Sequence, residues 1–419
     1  MHSVSEALSI ILQNVRQRTA EPVALRNSLS RILAETLFVP HDSPPFDKSL
    51  MDGFAVCVPT TESSSAGHSE AQSVTFKVAE TVTAGNLPTV TLSESVAARI
   101  MTGAPLPDGC NCVVPIEQTQ FDEANPATVT LPQSALRQES CLIRRGTSAA
   151  AGSVLLQKGT RLQPQQLAAL AEFGFSRILV ERRPTVAVLA TGDELTSIDE
   201  PLRPGQIRNS NEPMLIAQIE ACDATPVALG IARDDEQQLR TGILQGLQND
   251  FLLLTGGVSA GILDLVPQQL KLAGVTPILH GVQMKPGKPL WFGVFEQDSH
   301  RCLVFGLPGN PVSSLACFEL FVRPALQRFS GLAAGAPLVA TLEESAQVFG
   351  NRPVYHPARV QIQSGRLTVR RVPWSGSSDL KATVDANGMA LLLPEHGPYS
   401  PGETVEIWLW GDQRLPLFL

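Results

Sequence analysis

The sequence predicts a multidomain protein of α/β plus β class: a central doubly wound α/β domain between β-rich regions, with a small β-barrel or sandwich at the end. Three observations carry this reading. The chain has 419 residues, which at roughly 150 residues per domain suggests about three domains. Between Pro184 and Gly331 short apolar runs alternate with helical periodicities, the pattern of a buried, mostly parallel sheet covered by helices. The chain's 32 glycines and 32 prolines, many of them interrupting Val- and Thr-rich runs outside that region, favour short strands and many turns.

Residues 4–19 read as a helix, with Val4, Leu8, Ile11, Leu12 and Val15 on one face. A short helical stretch is expected at Asn27–Thr36. Strands are expected at Val74–Val78, Thr89–Leu92 and Thr128–Leu131, with the polar Glu62–Ser73 as an exposed loop. Pro164–Phe173 reads as a helix begun by a proline. In the central region Val186–Ala190 is a strand ending in Thr191-Gly192, and Pro213–Cys222 a helix. Val227–Ala232 follows as a strand, and Asp234–Gln248 as a helix with Leu239, Ile243 and Leu247 in register. Phe251–Leu254 is a strand ending in Thr255-Gly256, and Leu265–Leu272 a helix. Leu290–Phe295 and Leu303–Phe305 are further strands. The last helix of this region starts at the Asn310 cap with Pro311 in its first turn and stops at Gly331.

Composition narrows the function. Hydrophobic residues are 43% and charged residues 17%, which argues against a disordered chain. The net charge of −8 argues against nucleic acid as a partner, since such binding runs on surplus Lys and Arg. It leaves room for a local basic pocket for small anions. No segment has the roughly 18–20 uncharged apolar residues of a membrane helix. Met1–Arg18 lacks a basic start followed by an apolar run, so no secretory signal is read. The seven cysteines are scattered without a C-x-x-C pair, as expected of free thiols in the cytoplasm. No H-x-x-x-H or H-E-x-x-H pattern suggests a zinc hydrolase, and no P-loop is present.

Ligands of open α/β sheets bind beyond the carboxyl ends of the strands. Three loops fall there: Thr191-Gly192-Asp193-Glu194, the run Thr255 to Gly261 containing Gly256, Gly257 and Ser259, and Pro308-Gly309-Asn310 before its helix. Glycines let backbone amides approach a phosphate, and a helix N-terminus adds positive potential. Asp193, Glu194, Asp234, Asp235 and Asp264 place carboxylates on the same rim, a donor set that suits Mg²⁺ bridging a phosphate. In Lys285-Pro286-Gly287-Lys288-Pro289 stiff prolines present two ammonium groups to an anion. Asp52, before Gly53, and Thr102, before Gly103, sit in turns of the β-rich region, and each reads equally as plain turn chemistry. Arg144-Arg145 is a second basic point.

Together these segments resemble the molybdopterin molybdenumtransferase family, the bacterial MoeA and gephyrin E-domain group. The matching pieces are PPFDKSLMDGFAV (44–56), MTGAPLPDGCNCVV (101–114), TGDEL (191–195), GQIRNSN (205–211), LTGGVSAG (254–261), KPGKP (285–289), LPGNPVSS (307–314) and DANGMALLLP (385–394). The resemblance implies four parts: a helical and extended linking domain at 1–39 and 139–178, a β-rich inserted domain at 40–138, an α/β domain at 179–331 related to molybdopterin adenylyltransferase, and a β-barrel at 332–419. It implies a homodimer whose site is shared between chains. The implied reaction inserts molybdenum from molybdate into adenylylated molybdopterin, with Mg²⁺, releasing AMP and mature cofactor. By position, Asp52, Glu194, Asp264, Lys285 and Lys288 are the implied catalytic residues, with Glu194 and Asp264 on the metal. Thr102, Asp234, Gly256, Gly257, Ser259, Pro289, Pro308, Gly309 and Asn310 are the implied substrate contacts. A separate molybdopterin adenylyltransferase and apo-molybdoenzymes are the implied protein partners. The chain departs from the family at Ser148, where Gly-x-Asp is usual, and at Tyr355-His356-Pro357 before Arg359. The missing acid motivates an alternative, a non-catalytic carrier of molybdopterin or its mature cofactor.

Overall fold

The computed structural model describes residues 1–16, 20–59, 72–257 and 265–411. They form two compact units, one of Met1–Ala34, Arg161–Gln163 and Arg177–Leu419, the other of Glu35–Thr160 and Pro164–Ser176. The second unit is built on a six-stranded sheet in the order Cys112–Pro115, Gly53–Val56, Val96–Ile100, Ser73–Val82, Thr128–Pro132, Gln120–Phe121. Side chains alternate between its faces. Phe54, Val56, Phe76 and Val114 enter one apolar cluster, and Ala55, Ala98, Ile100 and Val113 another. Thr89–Leu92 is not a strand: the amides of Thr89 and Val90 donate to the Glu80 carboxylate instead of a ladder. Pro164–Glu172 is the proline-led helix. The expected loop at Glu62–Ser73 lies almost wholly outside the described residues.

The first unit holds the α/β layer. Its six strands run in the order Thr225–Ala232, Thr185–Thr191, Phe251–Thr255, His300–Leu307, Trp291–Gln297, Thr276–His280. The first four are parallel. Trp291–Gln297 runs antiparallel to both its neighbours, so Thr276–His280 again points the same way as the four. Only Asp298-Ser299 separates Gln297 from His300, too short for the crossover that a parallel pair requires. Both faces are buried, which explains the unbroken apolar runs. Val186, Val188, Leu253 and Phe305 face one cluster, and Ala187, Leu189, Leu252 and Val304 the other.

Helix Val4–Asn14 buries Ala7 and Ile11 in the first of these clusters. It starts in a capping box between Ser3 and Glu6 and stops at Val15, which is extended, short of the expected 19. The expected helix at Asn27–Thr36 is absent. A single 3₁₀ turn, Leu25–Asn27, gives way to Ser30 at φ 66°. Ile32 then bridges Arg161 and Leu33 bridges Val180, so long-range pairing overrides local preference. Pro311–Cys317 and Arg323–Phe329 are one helical run interrupted by a wide turn at Phe318–Val322. Pro324 has no N–H to offer the carbonyl four residues earlier, which loosens the turn before it. The C-terminal part closes as a five-stranded barrel, Leu338–Leu342, Arg366–Arg371, Val354–Gln363, Gly388–Leu392, Thr404–Leu409. Asn387 pins it by bonding both the amide and the carbonyl of Val360.

Candidate active-site cleft

Chain order reverses across the strands Thr185–Thr191 and Phe251–Thr255. The first connection leads outward to Thr225–Ala232, and the next crosses back to the other side. Loops diverge at such a switch point and leave a crevice. A cleft of about 460 Å³ opens there. Thr191 Oγ1 donates to Thr255 O at 3.2 Å, tying the two strand ends together. The cleft brings together Glu194, Asp234, Gly256, Gly257, Pro289, Pro308, Gly309 and Asn310, all of them residues the sequence reading singled out.

Each wall has a local cause. Gly256 sits at φ +92°, and a Cβ there would stand 2.5 Å from Thr191 O. Opposite it, a Cβ on Gly309 would come 3.6 Å from Gly256 Cα, an ordinary contact, so the close approach that requires glycine is at Gly256. The Pro308 turn is held by Ser314 Oγ, which donates to Pro308 O at 2.5 Å. Asn310 does not cap its helix through its side chain. Its Nδ2 donates to Ser377 Oγ at 3.0 Å, joining the cleft wall to the Ser-rich loop before the last barrel strands. Pro289 lines the cleft directly after Lys288, and Lys285 and Lys288 are both exposed.

Arg233, to which the sequence reading gave no role, and Asp193, one of its rim acids, hold the acidic rim in place. Arg233 Nη1 donates to the carbonyls of Asp193 and Leu195 at 2.8 and 2.9 Å, clamping the loop that carries Glu194. Asp193 accepts from the Asp234 amide at 3.2 Å, fixing the second acid. The Ile207 amide donates to Glu194 O at 2.8 Å, and Asn211 donates to Gly309 O at 2.8 Å, which gives the GQIRNSN motif its task. The signal was available in that motif, but its partners lie far away in sequence. Among the described residues no protein group donates to the carboxylates of Glu194 or Asp234. No three His, Cys, Asp or Glu side chains there gather as a metal set. Ser259 and Asp264 lie outside the described residues.

In the other unit Asp52 Oδ1 accepts from both the Thr102 amide and Thr102 Oγ1, each at 2.7 Å. The amide bond, then the hydroxyl bond, holds the carboxyl below its ordinary 3.8. Arg144-Arg145 is not an open basic point. Arg144 pairs with Glu139 and Asp47, and Arg145 with Asp42 at 2.7 Å. These pairs staple the loop leading to Asp52. Ser148 is exposed, and its amide donates to Ser43 O at 2.9 Å.

Residues 2–174 match the MoeA N-terminal region, 187–328 the probable molybdopterin binding domain, and 340–410 the MoeA C-terminal region. The molybdopterin molybdenumtransferase of Bacillus subtilis is 35% identical over 98% of this chain and 94% of its own length. That of Staphylococcus aureus strain MSSA476 is 33% identical over 97% and 95%. A solved MoeA protein of molybdopterin biosynthesis from Pyrococcus horikoshii superposes with a TM-score of 0.81 at 29% identity, covering 97% of this chain and 98% of that one.

Proposed function

The chain belongs to the molybdopterin molybdenumtransferase family, and from that premise we propose how its cleft inserts molybdenum into the cofactor. The protein is a transferase of molybdenum-cofactor biosynthesis. The observation that carries the detailed reading is the cleft at the switch point of the molybdopterin-binding region, with two carboxylates on its rim to which no described protein group donates.

In this reading the substrate is adenylylated molybdopterin. Backbone amides around Gly257, Gly309 and Asn310 receive its phosphates, with Gly256, whose own amide is held by Leu307 O at 3.1 Å, shaping the wall. Lys285 and Lys288 meet molybdate as the incoming oxyanion. Glu194, with Asp264 and Asp234, would hold Mg²⁺, and a donor set of hard carboxylates fits that cation. When bound, Mg²⁺ would supply neutralisation of the departing AMP phosphate. The Asp52–Thr102 pair would complete the site of the partner protomer in a homodimer. The upstream partner would be a molybdopterin adenylyltransferase and the recipients apo-molybdoenzymes. We retain the four-part division at 1–39 with 139–178, 40–138, 179–331 and 332–419 as part of this proposal.

The test is AMP release from adenylylated molybdopterin by purified protein, with and without molybdate and Mg²⁺. Release that depends on both is expected. Tight binding without release would favour the carrier reading and point to Ser148, where the family's usual acid is absent.

A further inference from the structure

We infer that the first unit carries a second anion site, a pocket for a tetrahedral oxyanion dianion, which shares no lining residue with the cleft. The pocket measures about 160 Å³, room for one such anion with part of its hydration. Five arginines line it: Arg31, Arg161, Arg182, Arg183 and Arg323. Among the described residues two acids, Glu181 and Asp223, stand on the same wall.

The arginines are not a naked cluster. Arg31 pairs with Glu21, Arg182 with Asp250 and Arg323 with Glu319. Those three carboxylates do not line the pocket, so the guanidinium groups are the nearer charges to anything inside. Two helices also end here, Asn211–Glu220 before Ala221 and Arg323–Phe329 before Ser330. Their carbonyl ends bring about half a negative charge each. Counted with the carboxylates that pair with or flank them, Glu21, Glu181, Asp223, Asp250 and Glu319, the five guanidinium groups leave no surplus positive charge, so the anion is held by guanidinium donors arranged around it and not by net charge. Cys222 adds no charge: burial pushes its thiol up to about 12, and Arg323 Nη1 donates to the sulfur at 3.0 Å.

Arg183 is the group most available to a ligand. Its side chain is 46% exposed. Its contact with Asp223 is long, 3.5 Å, and that carboxylate already holds Arg161 at 2.7 Å. A guanidinium fork with a half-shared partner is suited to two parallel bonds to an oxyanion. Phosphate, sulfate and molybdate all present that geometry and charge.

The experiment uses the full chain at constant ionic strength, with chloride as the background. Binding of inorganic phosphate, sulfate and molybdate is measured by calorimetry, and alkylation of Cys222 is followed by site-resolved mass spectrometry. Wild type should bind above the chloride background, and the anion should slow Cys222 alkylation. Arg183→Gln should weaken binding at least ~10-fold and abolish that protection. Arg183→Lys, which keeps the charge but loses the fork, should fall between and guards against a folding artefact. Similar affinities for the three anions would identify a general oxyanion site, and a ~10-fold preference for molybdate a holding site for the metal's source. The inference is overturned if Arg183→Gln binds as wild type does, if Cys222 is never protected, or if Lys288→Ala alone removes the binding. The last result would place the anion in the cleft.

Discussion

Two acidic regions of this molecule keep their carboxylates in opposite states. Around the α/β cleft, protein groups fix the backbone of Glu194 and Asp234, and among the described residues none donates to their carboxylates. Arg233 and Asp193 spend their bonds on main-chain atoms. In the MDG loop, one oxygen of Asp52 is engaged, receiving two bonds from one threonine. An uncommitted carboxylate on a rigid loop is prepared for a cation or a ligand donor. A committed one instead sets the shape of its turn and offers its remaining oxygen in a fixed direction. The cleft acids are thus the candidates for chemistry, and Asp52 for positioning.

Isosteric substitution should separate them most strongly. Glu194→Gln should lower molybdate-dependent AMP release by about 100-fold or more, as loss of a charged group at a phosphoryl centre does. Its thermal midpoint should stay within a degree or two, because no described protein group bonds that carboxylate. A variant with undiminished release would remove Glu194 from the machinery. The second effect tests whether the two regions serve one site across a dimer. Mixing inactive Asp52→Asn and Glu194→Gln chains should restore about a quarter of wild-type release, because half the dimers then hold one intact site. No recovery after proven subunit exchange would place both residues in the same chain's site.

Glycines give a third, purely structural contrast. Gly256 has positive φ and a backbone oxygen 2.5 Å from a would-be Cβ, whereas Gly103, at φ +79°, has open space. Gly256→Ala should cost about 3 kcal/mol and distort the cleft, and Gly103→Ala only about 1 kcal/mol. Denaturant unfolding of the two variants checks the order.

The cleft was largely legible because a doubly wound sheet places its strand-terminal loops together whatever their separation in sequence. Thr191, Thr255 and Pro308 end neighbouring parallel strands, so their motifs had to meet. What escaped was set by single long-range bonds. Arg233 reads as a surface arginine until its two carbonyl partners are seen, and Asn211 as an ordinary helix start. The segment Asn27–Thr36 carried helical residues but was drawn into bridges with Arg161 and Val180. Thr89–Leu92 has strand composition, yet Glu80 captured its amides. Side-chain capture of a backbone leaves no period in the sequence.

The smallest predicted effect isolates how Asp52 is held. Its charged form is favoured because the Thr102 amide and hydroxyl both donate to it, the amide being the larger cause. A carboxyl depressed in this way contributes stability above its unfolded pKa, near the ordinary 3.8, and loses it as pH falls through the lower folded value. Thr102→Val removes the hydroxyl donor and keeps the amide. The Asp52 midpoint, followed by the carboxyl carbon shift in NMR, should therefore move upward only part of the way to its ordinary value, with activity at neutral pH reduced less than 10-fold. A midpoint that does not move would mean that the hydroxyl bond is not formed in solution. A return to the ordinary value would mean that the hydroxyl had been orienting the whole turn, so that losing it freed the amide bond as well, and Asp52 would then join the uncommitted acids from which this comparison separates it.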